Sequence, residues 1–146
     1  MSRKLLLVCV LLLLVESLFA NDVYTTIEIN GVIVNGGLIY AAVYSNEHDY
    51  KSETAFARFI LQPDTATLTH SLYLPEGEYV VSVFQDKNGD EQLNSGIFGI
   101  PSEPVGKTNY NLKGAPGGFN KLKTPVNSNS AKLNINMGKV KALGVL

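Results

Sequence analysis

Cysteine is almost missing from this 146-residue chain: Cys9 is the only one, and it lies inside an N-terminal apolar run that reads as removed on export. The exported part then has neither thiol nor disulfide, which excludes a cysteine nucleophile, a disulfide scaffold and a lipid-bearing cysteine near the cleavage point. Histidine is nearly as scarce. His48, between Glu47 and Asp49, reads as an exposed loop residue, and His70 as a half-buried strand residue; neither shares a metal-ligand spacing with a second histidine or a cysteine. There is no Gly-x-Ser-x-Gly elbow, no His-Glu-x-x-His and no glycine-rich phosphate loop opening a helix, so the chain is expected not to be an enzyme. No arginine-rich stripe lies beside stacking aromatics, which argues against a nucleic-acid partner. No repeat of about 20 to 50 residues is visible either, against a solenoid or a propeller.

Arg3 and Lys4 precede the apolar run Leu5–Val15 and a small-residue exit at Ser17–Ala20. That is the pattern of a secretory signal peptide cleaved after Ala20, and the run is shorter than the roughly 20 residues a membrane-spanning helix needs. The expected division is a signal peptide at 1–20 and one domain at 21–146, periplasmic or secreted, with no stable membrane span once the signal is cut. The remaining length of about 126 residues is enough for one domain with a real core.

Asp22–Asn30 alternates, with Val23, Thr25, Ile27 and Ile29 on one face, and reads as a first strand that Val32–Val34 extends past a bend at Gly31. Asn35, Gly36 and Gly37 read as a hairpin turn and Leu38–Tyr44 as the partner strand. Ser45–Ala55 is polar and without period, a loop; Phe56–Gln62 is a short helix or an irregular strand; Thr65–Leu72 is a strand. Glu78–Gln85 is apolar on both sides, with Tyr79, Val81 and Val83 on one and Val80 and Phe84 on the other, as befits a central strand covered on both faces. Ala131–Met137 alternates strictly and has one wet face. Between these lies a long Gly/Pro/Lys-rich segment at 102–130, with Tyr110 and Phe119 as two apolar pins. Short strands with glycine or proline at nearly every join indicate an all-β fold: a single antiparallel β-sandwich domain of six to eight strands.

The ligand-like cluster comes after the central strand. Asp86, Asn88 and Asp90 present oxygen-bearing side chains at every second position around Gly89, the spacing with which a tight turn wraps a hard cation, and calcium is the natural candidate. The carbonyl of Gln92 and the side chain of Asn94 complete a candidate metal set. Glu91 and Ile97 stand where the helix-loop-helix calcium pattern has glycine and a closing glutamate, so a helical calcium hand is not expected. The alternative is an Asp/Asn/Gly-rich turn whose side chains bond their own backbone.

The run GEYVVSVFQDKNGDEQLN followed by GIFGIPSEPVG resembles the secreted bacterial family known as domain of unknown function 2141, which is similar to transthyretin-like or carboxypeptidase-regulatory β-sandwiches. The family pattern falls on Asp86, Asn88, Asp90, Leu93 and Asn94, then Gly99, Ile100, Pro101 and Glu103, then Gly106, Asn109, Pro116 and Phe119. Glu91 replaces the usual glycine, Asn94 the usual aspartate and Lys107 a typical aromatic, and an additional glycine separates Pro116 from Phe119. The first two departures make the turn costlier and the cation attraction weaker. The resemblance implies a sandwich fold, transthyretin-like or Ig-like, but no established activity.

Charge is divided along the chain. Between Asn21 and Glu103 three bases face twelve acids, a segment charge of −9; from Pro104 onward there are seven lysines and no acid, +7. Either the basic segment folds across the acidic sheet, or Lys107, Lys113, Lys121 and Lys123 form an arm for anionic envelope polymer or lipid head groups. Three functions remain. The first is an accessory or binding module of the cell envelope for an unknown ligand or protein, calcium organising the loop 86–94. Its contact surface is Ile97–Tyr110, notably Ile100, Pro101, Glu103, Asn109 and Tyr110, together with Phe119. The second is a purely structural or assembly domain without metal. The third is a small hydrolase acting at His48 or Asp86.

Overall fold

The computed structural model describes residues 21–142; the expected signal peptide lies outside the described residues. Eight strands occur in chain order: β1 (Asp22–Asn30), β2 (Ile39–Tyr44), β3 (Ala57–Leu61), β4 (Thr67–Pro75), β5 (Gly77–Gln85), β6 (Val105–Lys107), β7 (Thr124–Val126) and β8 (Lys132–Asn136). Two short helices, α1 (Glu47–Lys51) and α2 (Phe119–Leu122), sit in the connections. One sheet is ordered β4-β1-β8 and the other β3-β2-β5-β6, with β7 pairing the first residues of β5. The two pack face to face, an all-β sandwich.

The inward faces are those that alternation marks. Ile27 and Ile29 of β1, Leu68 and Leu74 of β4, and Leu133 and Ile135 of β8 meet Ile39, Val43, Val81 and Val83 of the opposite sheet in one core. Strand β5 is central and covered on both sides, because Val80 belongs to a second cluster on the outer face with Ala42, Tyr44, Val105, Tyr110, Phe119 and Leu122. Residues 108–123 therefore lie across the outside of the larger sheet, with Tyr110 and Phe119 both buried there. Helix α1 replaces part of the expected loop, because Asn46 caps it by accepting the Asp49 N–H at 2.9 Å, and its Tyr50 packs edge-on against Tyr44.

Two connections differ from the local reading. Residues 35–37 do not close a hairpin, since β1 and β2 lie in different sheets. Gly31 turns the chain at φ 79°, and the buried Gln85 amide donates to the carbonyls of Ile33 and Gly37 and accepts the Ile33 N–H, holding the crossing from sheet to sheet. The chain passes so close at Gly37 that a Cβ there would collide with the Asp86 carbonyl oxygen. The second difference is that β8 runs parallel to β1, Thr26 opposite Lys132 through Asn30 opposite Asn136, so the sandwich is antiparallel except for this pair. The chain enters β8 from β7, which pairs with the other sheet, so residues 127–131 make a crossing between sheets and not a hairpin that would impose an antiparallel partner. Just past it, Gly138 and Val105 exchange two backbone hydrogen bonds of 2.9 Å, which stitch the smaller sheet to β6.

Candidate functional site

Where β5 ends, the chain makes a compact oxygen-rich loop. Asp86 is 3% exposed, and its two carboxylate oxygens accept the N–H groups of Gly89 at 2.7 Å and Glu91 at 2.9 Å. Glu91 stands at φ 61°, a left-handed position that a glycine would occupy at less cost, in keeping with the glycine that the resemblance expects there. Asp90 accepts the Gln92 N–H at 3.0 Å and the side-chain amides of Asn88 at 3.0 Å and Asn94 at 2.9 Å. These hydrogen bonds hold the Asp90 carboxyl below the ordinary aspartate range.

Glu103 ties the loop to the next stretch of chain. This residue is 5% exposed; one carboxylate oxygen accepts the Lys87 N–H at 2.8 Å and the other the Asn94 N–H at 3.2 Å. Past Asn94, Ser95 pairs with Pro101 and Gly96 donates to the Ile100 carbonyl, closing a small tongue. Its tip is the 3-10 turn Ile97–Gly99, where Ile97 is 80% and Phe98 95% exposed. Phe98 also sits at φ 64°, a left-handed conformation that costs a bulky residue on the order of 1–3 kcal/mol. Two apolar side chains held out in water, one of them on strained backbone, are not accounted for by folding.

Under the tongue lies a cleft of about 460 Å³. Its walls are Leu93, Phe98, Ile100 and Pro101 of the loop and tongue, Phe84, Val105 and Tyr110 of the sheet face, and Ala115, Pro116 and Val140 of the covering segments. Ser82 and Lys107, paired residues of β5 and β6, are polar groups in this mostly apolar lining. The Lys107 ammonium donates to the Ser82 hydroxyl at 2.8 Å and lies 5.0 Å from the centroid of the Tyr50 ring. Burial pulls its pKa down from the lysine value to about 8, against a small opposing pull from Glu53.

Of the residues singled out in the sequence, Ile100, Pro101 and Tyr110 come together in the cleft. Asn88, Asp90 and Asn94 meet one another through side-chain hydrogen bonds, while Asp86 turns inward to the loop's backbone. Glu103 joins loop and tongue, Phe119 lies in the outer core, and Asn109 donates to the carbonyls of Leu122 and Lys123. His48 and Asp86 are not brought together. The one lies beyond Tyr44, which pairs with Val80, and the other beyond Gln85, which pairs with Ile39, so they leave opposite ends of the sheet. His70 stacks on Phe59 with ring centroids 3.9 Å apart, and burial lowers its pKa. Phe98 and Lys107 fall within the expected contact stretch Ile97–Tyr110 without having been singled out as cleft residues, and Ser82 was not assigned at all. The one available signal was Ser82, a lone hydroxyl in the apolar run of β5.

Among the described residues no group of three or more His, Cys, Asp or Glu side chains is arranged to hold a metal ion, and no helix is long and apolar enough to cross a membrane. Fold and site define a small two-sheet β-domain that presents an apolar cleft beneath an exposed tongue. A family model matches residues 27–134, and the chain belongs to that family, described as "Uncharacterized protein conserved in bacteria (DUF2141)". No curated protein and no solved structure matches the chain.

Proposed function

We propose that this protein is a non-enzymatic, exported binding module of the cell envelope, and that its binding face is the cleft with its tongue. The observation that carries this reading is Phe98, held out in solvent at a strained backbone position on the rim of an apolar cleft. A volume of about 460 Å³ with a few convergent polar groups lies within the range of small-molecule sites, about 300–1,000 Å³. Loop 86–94, buttressed by Glu103, keeps the tongue in register with the sheet face. Nile red, a neutral apolar dye, tests the reading. The wild-type protein is expected to bind it with enhanced fluorescence. Phe98→Gly is expected to weaken binding several-fold while raising stability by about 0.5–1 kcal/mol, since glycine relieves the left-handed strain. Unchanged binding in the folded variant would show that the tongue is not part of the face.

The convergence of Asn88, Asp90 and Asn94 supports a second element of the same proposal, calcium bound at the loop. Both amides now point donors at Asp90 or at each other; turned over, they would offer oxygens to a cation beside an ionised carboxylate. Asp86 has both oxygens engaged by backbone N–H groups, so its part is to shape the loop. Thermal unfolding in chelator and across a calcium series is expected to show a saturable rise, about 2.7 kcal/mol at 100 times the dissociation constant, lost in Asp90→Ala. A midpoint indifferent to calcium would leave the loop as a self-satisfied turn.

A further inference from the structure

The cleft contains one cation in an otherwise apolar setting. Lys107 has only a serine hydroxyl and the face of Tyr50 close to its ammonium, and no ion pair links it to a carboxylate of the described residues. Among the other lysines of the basic half, Lys123 pairs with Glu78 and Lys132 with Glu28 at 2.7 Å, while Lys113, Lys121, Lys139 and Lys141 stand exposed to water; Lys107 is half-buried and has neither. A desolvated ammonium without a counter-charge is unfavourable, and an anion entering the cleft would remove that cost. Beside the ammonium the Ser82 hydroxyl offers a second donor. The remaining walls are mostly hydrocarbon, with Phe84, Phe98, Ile100 and Val105 among them and Ser95 as a further polar residue. One cation with a hydroxyl beside it, at the edge of a mostly apolar cleft, fits a ligand with one small anionic head and one chain.

Resting on the cleft as the binding face, we propose that it takes a free single-chain carboxylate of the fatty-acid kind. The head meets Lys107 and Ser82, and the chain runs along the apolar wall under Phe98. The fit is to charge as well as to shape. Around Lys107 the titratable groups are Tyr50, whose hydroxyl burial keeps neutral well past pH 7, and the more distant Glu53, which favours the ammonium. Tyr110, on the cleft wall, is likewise kept protonated by burial and donates its hydroxyl to the Gly114 carbonyl. Glu53 acts on Lys107 only through its field, and no carboxylate of the described residues forms an ion pair with the ammonium.

Displacement of Nile red by decanoate and by decanol, at pH 7 and below their micellar concentrations, tests the assignment. Decanoate is expected to bind about ten-fold tighter than the alcohol, the range of a charge-assisted hydrogen bond. Lys107→Met is expected to abolish that preference while still binding the dye, and Lys107→Arg to keep most of it. Equal displacement by acid and alcohol would overturn the carboxylate assignment and leave the cleft reading standing. Nile red that binds but is displaced by neither would overturn the single-chain ligand. Failure of the dye itself to bind would remove the cleft reading with it. Co-sedimentation with phosphatidylglycerol vesicles without displacement by decanoate would also overturn the proposal, assigning Phe98 to a bilayer surface.

Discussion

The behaviour of Lys107 with pH is set by its surroundings. Burial lowers its folded-state pKa from 10.5 to about 8, so between these values the unfolded chain holds a proton that the folded chain lacks. Stability therefore rises with pH across that window. Tyr44 and Tyr50 act in the opposite sense near and above pH 10, because burial raises their folded pKa and the unfolded phenols ionise first. The net expectation is an unfolding midpoint that climbs from pH 7.5 to about 9.5 and then turns down, with the climb absent in Lys107→Met. Thermal melts across that range would check it. The one sign in the sequence that Lys107 is covered was that it stands where the family pattern has an aromatic. In a stretch rich in lysine and glycine a lysine otherwise reads as solvated, and the ring of Tyr50 on α1 that its ammonium faces comes from more than fifty residues earlier. The inward residues of β1, β5 and β8 were legible because alternation is a property of the strand itself.

Elements were legible where their signal is local and not where a distant partner decides. The bounds of β1 match its alternation, and β5 is central as its two apolar faces require. The turn at 35–37 misled because its residues suit a hairpin as well as a crossing, and the choice between them is made by Gln85 on another strand. The junction of β6 with β8 was invisible for the same reason. Gly106 sits where a Cβ would approach Ile135 Cγ2 to 2.7 Å and the Asn136 carbonyl oxygen to 2.9 Å. Gly106→Ala is therefore expected to force the sheets apart at this corner and to destabilise by about 1–3 kcal/mol, measured as a lowered urea midpoint. The oxygen-rich loop was recognised by its spacing. Its clamp was not, because nothing in the sequence shows that the acid of Ile-Pro-Ser-Glu reaches back to the N–H groups of Lys87 and Asn94.

At the scale of the molecule, the opposed charges of the two halves are partly joined. Segment 104–142 supplies Lys123 to Glu78 and Lys132 to Glu28, and Asn120 donates to Glu47. Such exposed pairs contribute at most about 1 kcal/mol each, so the basic half is held on the sandwich by Tyr110, Phe119, Leu122 and the strands β6 to β8, not by its charge. The parallel pairing of β1 with β8 has a further consequence, in time. During synthesis β1 emerges among the first of the described residues, yet Lys132, opposite Thr26, arrives only on the order of ten seconds later at ordinary elongation rates. Until then one long edge of β1 has no neighbour and the smaller sheet cannot be completed, so the emerging chain stays open to unwanted pairing until β8 arrives.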